Sequence, residues 1–521
     1  MTYRWLSLFV LVAITVFFVA QLRNVELRTI FSDLLPSTHP FVQTYKDHPN
    51  FGNPLTVTVM IKRTDGEDIY NAETLQKVWN LTRDVDLAPA VDHDQILSVA
   101  TEKARYSEAT PNGIDSRPIM GDHAPRTAEE IEEFRNRLLK SPNVRNFMVS
   151  EDETATLITA TFIERLLDYG ETFEYLDKLV KDARDDKHEI HMAGQPVLTG
   201  WVYFYELQML GIFAVTGLAL LVALIIYMRN VVGVVAPLVT SLVAAIWGFG
   251  FVGWLGQPIE PLIMVVPLLL VARSFSHCVQ FIERYYEVLH HVKNRRRAAE
   301  ISLSVMMVPG VLGITTDAMG LLLIGVAPIP AMERFALFCG FWAMMLVPTN
   351  VLLTPLLMML LPQPRNVKRM VGEAEDQQRF GGIRLLLRAI GRLSIGRTSV
   401  LTALVVGTLA VFSFGKVLGI QVGNPVEGSN LLWEDSEFNV AVSRINSHFP
   451  GLNTLEIIFE SKSPDSLERL VRKASTALTT QRLQHRLSSH PNPPAASLSI
   501  AAYLPPTPPL FIAPTPPSGP P

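Results

Sequence analysis

The sequence predicts an α-helical polytopic membrane protein of about seven transmembrane helices, with an α+β, ferredoxin-like domain on the extracytoplasmic side. Three observations predict it. The 521 residues are 48% hydrophobic, and the apolar ones are gathered into blocks close to the roughly 20 residues a bilayer requires. Between the first two blocks lies a polar stretch, Gln21 to Gln208, patterned strand, helix, strand and then the same again. Lys and Arg, finally, collect in alternate connections between the blocks.

The first block, Trp5 to Ala20, has the length of a signal peptide, but Phe18 and Ala20 make a poor small-x-small cleavage site. Residues 1–22 therefore read as an uncleaved anchor. Residues 23–208 form the outside domain. Its strands are Leu55–Ile61, Ala155–Ile163 and Glu189–Gln195, and its helices are Asp68–Leu81, Glu129–Leu139 and Thr172–Arg184. The segment Glu108–Arg126, rich in Pro, Gly and Asp, reads as a long loop. Residues 209–362 hold five spans: Leu210–Met228, Val231–Leu255, Leu262–Ile282, Leu303–Gly325 and Phe335–Leu361. The last contains Pro348 and Pro355, which predicts a kink or tilt. A charged linker, 363–398, precedes a further span at 399–418.

Arg4, Arg229, the cluster Lys293, Arg295, Arg296 and Arg297, and the linker residues Arg365, Lys368 and Arg369 all fall on one side of these spans. The turns Gly256–Pro261 and Ala327–Ala331 fall on the other and carry neither Lys nor Arg. The N-terminus is therefore predicted to be cytoplasmic, with the polar domain outside. The basic run Asn294–Arg297 is a topology signal, and a net charge of −4 gives no bulk basic character for nucleic acid. Both cysteines, Cys278 and Cys339, lie in predicted spans, against a disulfide framework. No CxxC, HExxH, GxSxG or GxxxxGK[ST] occurs, so no metal, cofactor, hydrolase or P-loop ATPase is expected, and no enzyme. His48 and His93 stand near acids but read as surface neighbours.

The chain also repeats itself. One offset of 397 residues separates Leu34 from Leu431 and Phe41 from Phe438. Each of these motifs follows a span and leads through a His/Phe/Gly cluster into a strand, Leu55–Ile61 in one case and Thr454–Phe459 in the other. Residues 419–470 thus read as the start of a second outside domain, an arrangement usual in secondary transporters. From Arg469 to Pro521 there is no Asp or Glu, and the end is dense in proline. Residues 471–521 read as a disordered or frame-shifted tail.

Two spans carry groups that a bilayer penalises. Arg273, His277 and Gln280 stand at i, i+4 and i+7, on one helix face. Asp317 lies in the next span beside Thr315 and Thr316. A charge at a helix centre costs roughly 2.5–3.5 kcal/mol on insertion scales, so each is expected to offset the other. Counted from the outer ends of their spans, the two depths differ by roughly 6 Å at 1.5 Å per residue, within reach of an arginine. The pair is either a lock between helices or part of a proton or ion relay.

The motifs LLP…HPF after the first span, FIERYYE closing the fourth and TTDAMGLLLIGVAPIPAMERFALFCGFW through the fifth and sixth resemble the resistance-nodulation-division (RND) superfamily. The resemblance runs from Met1 to about Leu470. It is closest to the branch of mycobacterial membrane-protein-large type proteins and predicted exporters. The second to sixth spans are similar to a sterol-sensing arrangement. By this resemblance the fold is a truncated RND fold, and the function is proton-motive-force-driven export of hydrophobic or amphiphilic molecules such as lipids. Membrane lipids, a homo-oligomer and a periplasmic partner are the implied associations. Many family members carry an Asp-Tyr pair eight residues before an Arg-Tyr pair, in the fourth span. Here that register holds Ser276 and His277, before Arg284-Tyr285. The usual proton-carrying carboxylate is therefore absent, and Asp317, His277 and Arg273 are the candidate relay, with Ser276, Gln280, Thr315 and Thr316 around them. The alternatives are a non-pumping lipid- or sterol-sensing membrane protein and a non-functional half-transporter.

Overall fold

The computed structural model describes residues 3–26, 35–36, 38–48, 53–111, 113–259, 265–363, 381–393, 395–420, 427–452, 457, 459 and 474–490. The second repeat's strand Thr454–Phe459, the basic linker residues Arg365, Lys368 and Arg369, and the proline-dense end lie wholly or mostly outside these residues. The chain divides into two units, Met1–Thr44 with Tyr205–Gly423 and Tyr45–Phe204 with Asn424–Pro521.

The second unit is built on β1 (Thr56–Arg63), α3 (Ala72–Asp86), β2 (Val91–Ser98), a hairpin of β3 (Arg105–Thr110) and β4 (Gly113–Pro118), α4 (Ala128–Leu139), α5 (Pro142–Met148), β5 (Ala155–Phe162), α6 (Tyr169–Ala183) and β6 (His188–Gly194). Two helices precede them: α1 (Arg4–Gln21), in the other unit, and α2 (Pro40–Asp47), within which the division between the units falls. Four strands form an antiparallel sheet in the order β2-β5-β1-β6, with Val59 facing Ile158 on one side and Met192 on the other. β1 is β-branched and central, and every residue from Val57 to Ile61 is buried, as a strand covered on both faces requires. α3 buries Leu75, Val78, Leu81 and Val85 at helical spacing, and α6 buries Phe173, Leu176 and Val180.

Caps set the starts of these helices. Asn71 Oδ1 accepts from Thr74 N (2.8 Å), so α3 begins at Ala72 rather than at Asp68, whose carboxylate instead accepts from Tyr70 N (3.1 Å) in the preceding turn. Asp168 caps α6, and Thr127 with Glu130 forms a capping box on α4. Three strands departed from expectation. β2 lies at a sheet edge, where His93 and Asp94 are exposed and no apolar alternation is needed. The predicted loop Glu108–Arg126 contains most of the β3–β4 hairpin, whose ladder pairs Tyr106 with Arg117 and Glu108 with Asp115. That ribbon is polar and held by its backbone, so composition concealed it.

His188 is buried between α3 and the sheet. It donates from Nδ1 to Asp185 (2.9 Å), and its Nε2 meets Thr74 Oγ1 at 2.9 Å. Burial opposes ionisation of Asp185, but hydrogen bonds from Lys77 (2.5 Å) and His188 outweigh it and hold the carboxyl well below the usual range. A carboxylate so depressed stabilises the fold above its unfolded pKa and loses that contribution as pH falls through the folded one. Asp185→Asn is therefore expected to lower the melting temperature of the purified protein at pH 7. The difference should shrink once pH drops below about 4, which a thermal melt series against pH would read.

After β6 come α7 (Gln195–Met228), α8 (Val231–Leu255), α9 (Val265–Val292), α10 (Arg295–Leu323), α11 (Pro330–Leu346), a π-helical stretch Val347–Leu353, α12 (Thr354–Leu360), α13 (Gly381–Leu393), α14 (Arg397–Val417), α15 (Glu437–His448) and α16 (Ala474–Ser488). α15 belongs to the unit with the sheet, packing on the edge strand β6 through a face that buries Phe438, Ala441, Val442 and Ile445. Arg184 reaches Glu437 at 2.6 Å. α16 lies within residues 471–521, expected to be disordered or frame-shifted; its own sequence is free of proline, which is dense only after it.

Among the described residues six helices are long and apolar enough to cross a membrane: Arg4–Asn24, Gln195–Met228, Val231–Leu255, Arg295–Val326, Pro330–Leu360 and Arg397–Val417. The count falls one short of seven because α9, the predicted fourth span, is not among them. The first residues of that predicted span, 262–264, lie outside the described ones, and α9 packs against α8 and α10. In this unit α1 lies on α8 through glycines: a Cβ at Gly253 would stand 2.1 Å from the Gln21 carbonyl oxygen, and one at Gly250 2.6 Å from that of Phe18. Trp247 Nε1 donates to Thr15 Oγ1 (2.9 Å), and the rings of Phe251 and Phe341 stack at 3.7 Å. The predicted disturbance at Pro348 and Pro355 takes the form of the π-helical stretch between α11 and α12, with Pro348 in its first turn.

Candidate functional site

α9 and α10 are joined by two residues, Lys293 in a left-handed conformation and Asn294, whose Oδ1 accepts from Arg297 N (3.1 Å) and starts α10. So short a turn sends α10 back along α9. The return brings Arg273 and Asp317 together, Nε donating to Oδ2 at 2.8 Å in a charge-assisted bond. One turn further along each helix His277 stands beside Gly313: a Cβ added to that glycine would lie 3.9 Å from His277 Cε1. His277 Nε2 is shielded and has no hydrogen-bond partner among the described residues.

The remaining candidates lie on these two helices without joining the ion pair. Gln280 Nε2 donates to Ser276 Oγ (3.4 Å) along its own helix. Thr316 turns its hydroxyl back onto the Leu312 carbonyl (2.8 Å), and Thr315 is half-buried. The pair is not sealed inside the unit: the Arg273 and Asp317 side chains are 47% and 37% exposed. In a bilayer such a face calls for a neighbour that can accept charge.

α9 has a second polar face, one residue round from the first, that points into the helix bundle. Ser274 Oγ donates to Asn350 Oδ1 (2.9 Å) and lies 2.8 Å from Ser241 Oγ of α8. Cys278 Sγ stands 3.4 Å from both Asn350 Oδ1 and Thr354 Oγ1. Ser241, Ser274, Asn350 and Thr354 are all buried, and the Asn350 Nδ2 has no partner among the described residues. Asn350 sits in the π-helical stretch, a geometry frequent at functional sites. Sequence reasoning passed over this cluster, although Asn350 inside an apolar block beside Pro348 was the available signal.

The arrangement holds one acid and one permanent cation in contact, with an imidazole a turn away. Protonation of the acid would weaken its hold on the cation. A model of the family described as MMPL family matches residues 55–385, which take in the sheet, α7 to α12 and both members of the ion pair. A protein of Methanocaldococcus jannaschii named "Putative membrane protein MJ1562" is 22% identical over 352 residues, covering 64% of this chain and 85% of that one.

Proposed function

The chain belongs to the MMPL family, and on that premise we propose that it exports hydrophobic or amphiphilic molecules, lipids among them, at the expense of the proton-motive force. Membership makes it an integral membrane protein of the RND type. The observation that carries the coupling is the contact of Arg273 with Asp317 on adjacent helices, beside an imidazole nitrogen with no partner among the described residues. A carboxylate that exchanges its arginine for a proton changes what ties α9 to α10, and that exchange is how a proton would move a helix. In this reading Asp317 carries the proton, His277 passes it, Arg273 holds the deprotonated state, and Ser276, Gln280, Thr315 and Thr316 supply polar lining.

The unit built on the sheet would take substrate on the extracytoplasmic side of a bacterial inner membrane, with the N-terminus in the cytoplasm. The distribution of Lys and Arg supports that orientation. The strand order β2-β5-β1-β6, with a helix crossing from β1 to β2 and another from β5 to β6, supports a ferredoxin-like reading. The exposed face of the ion pair supports assembly with further membrane helices, those of a second copy included.

The test is transport of a lipophilic dye by the full chain in vesicles under an imposed pH gradient. The double variant Asp317→Asn, His277→Ala is expected to lose gradient-dependent flux, and retained flux would refute the relay. The short, direct geometry of the pair favours one competing reading, a lock between helices in a non-pumping, sterol-sensing type of protein. Flux that is absent at every pH gradient in the unaltered chain would support that reading instead.

A further inference from the structure

One helix lies outside everything the transport reading uses. α13, Gly381–Leu393, precedes the apolar helix α14 and is strongly two-sided. Arg384, Arg388 and Arg392 recur at i, i+4 and i+8, so they share one edge of the helix. Ile383, Leu386, Leu387, Ile390 and Leu393 fall on an arc centred roughly 160° from them, and Leu385 alone breaks the pattern. From Gly381 to Arg397 there are four arginines and no carboxylate. Leu386, Ile390 and Leu393 are 59%, 51% and 50% exposed.

α13 is also tied to the start of a membrane-length helix. Thr402 Oγ1 donates to the Leu393 carbonyl (2.9 Å), and Thr398 Oγ1 to those of Arg392 (2.6 Å) and Ile395 (2.8 Å). The end of α13 is thereby fixed at the end of α14, where a span meets the headgroups. At 13 residues α13 is about 20 Å long, too short to cross a hydrocarbon core of about 30 Å. Its composition fits a helix lying in the interface: apolar arc toward the acyl chains, arginines level with the phosphates.

We propose that α13 is a membrane-surface site for anionic phospholipid headgroups, bound through Arg384, Arg388 and Arg392. Two observations select this occupant over a protein groove. The face is continuous with a helix of membrane-spanning length, and its charge complements the anionic leaflet that the lysines and arginines of the short connections also mark. Each arginine near such a surface is worth about five-fold in partitioning, so reversing two should cost at least about 25-fold.

The experiment uses the full chain. Both native cysteines are buried, so a cysteine placed at Ile390 or, separately, at Gly391 takes an environment-sensitive dye selectively. The labelled protein is put into nanodiscs of brominated phosphatidylcholine, with or without phosphatidylglycerol. The dye at 390 is expected to be quenched by the brominated chains, more strongly with phosphatidylglycerol present, while the dye at 391, on the flank near the arginines, is quenched less. Arg388→Glu with Arg392→Glu should abolish the gain from phosphatidylglycerol, whereas the two lysine variants keep it, since an anionic surface asks only for positive charge. Equal quenching in both lipids overturns the headgroup site. A dye at 390 that is shielded from water yet unquenched by lipid overturns it too, in favour of a protein covering the face. Neither readout requires transport, so failure here is separate from failure of the relay.

Discussion

Asp317→Asn is expected to abolish gradient-driven flux and to leave a less stable protein, whereas Arg273→Met with Asp317→Leu abolishes flux and largely restores stability. The single change removes the carboxylate 2.8 Å from Arg273 and, in a bilayer, leaves a permanent cation in apolar surroundings. On insertion scales an unpaired arginine at a helix centre costs about 2.5–3.5 kcal/mol. Removing both charges removes that cost along with the pair. Thermal unfolding in detergent and flux in vesicles, measured on the same preparations, separate the two roles. A doubly apolar protein that still transports sinks the relay and leaves the pair as a lock. Equal stability of the single and double variants would mean that Arg273 finds other compensation on the exposed side of α9.

Gly253→Val should be the most damaging change in the packing of the helices. The new Cβ would sit 2.1 Å from a backbone oxygen of Gln21, and a backbone atom cannot swing aside as a side-chain tip can. Overpacking typically costs about 1–3 kcal/mol, and this contact belongs at the upper end because α1 must move as a body. Gly217→Ala in α7 is the matched control: nothing lies within 4 Å of its Cβ, and alanine favours the helix by roughly 1 kcal/mol. Melting temperatures should fall sharply for the first and hold or rise for the second. If Gly253→Val melts with the unaltered chain, α1 is held to α8 by other contacts.

The two-charge site was legible because a bilayer makes charge conspicuous. Arg273 and Asp317 stand out in apolar text, and counting residues from the span ends set them at depths an arginine can bridge. The buried cluster around Asn350 was not legible. Serine and threonine raise little alarm in a membrane helix because their hydroxyls can return to their own backbone, as Thr240 does to the Ala236 carbonyl at 2.8 Å. The apolar strands Thr56–Arg63 and Ala155–Phe162 were readable from β-branched runs, but their partnership is a long-range fact that no local pattern carries. The polar edge strand β2 and the hairpin β3–β4 escaped notice because neither carries an apolar alternation.

The spacing of contacts along α9 and α10 works like a vernier. Asp317 is opposite Arg273, and the next position down pairs His277 with a glycine that offers no side chain. Slipping one helix past the other by a single turn, about 5.4 Å, would set Asp317 against His277 in place of Arg273. The acid would then have exchanged a partner whose charge is permanent for one whose charge follows the pH of the compartment it faces. On the proposed relay, two notches one turn apart would let a proton be counted as a step of the helix.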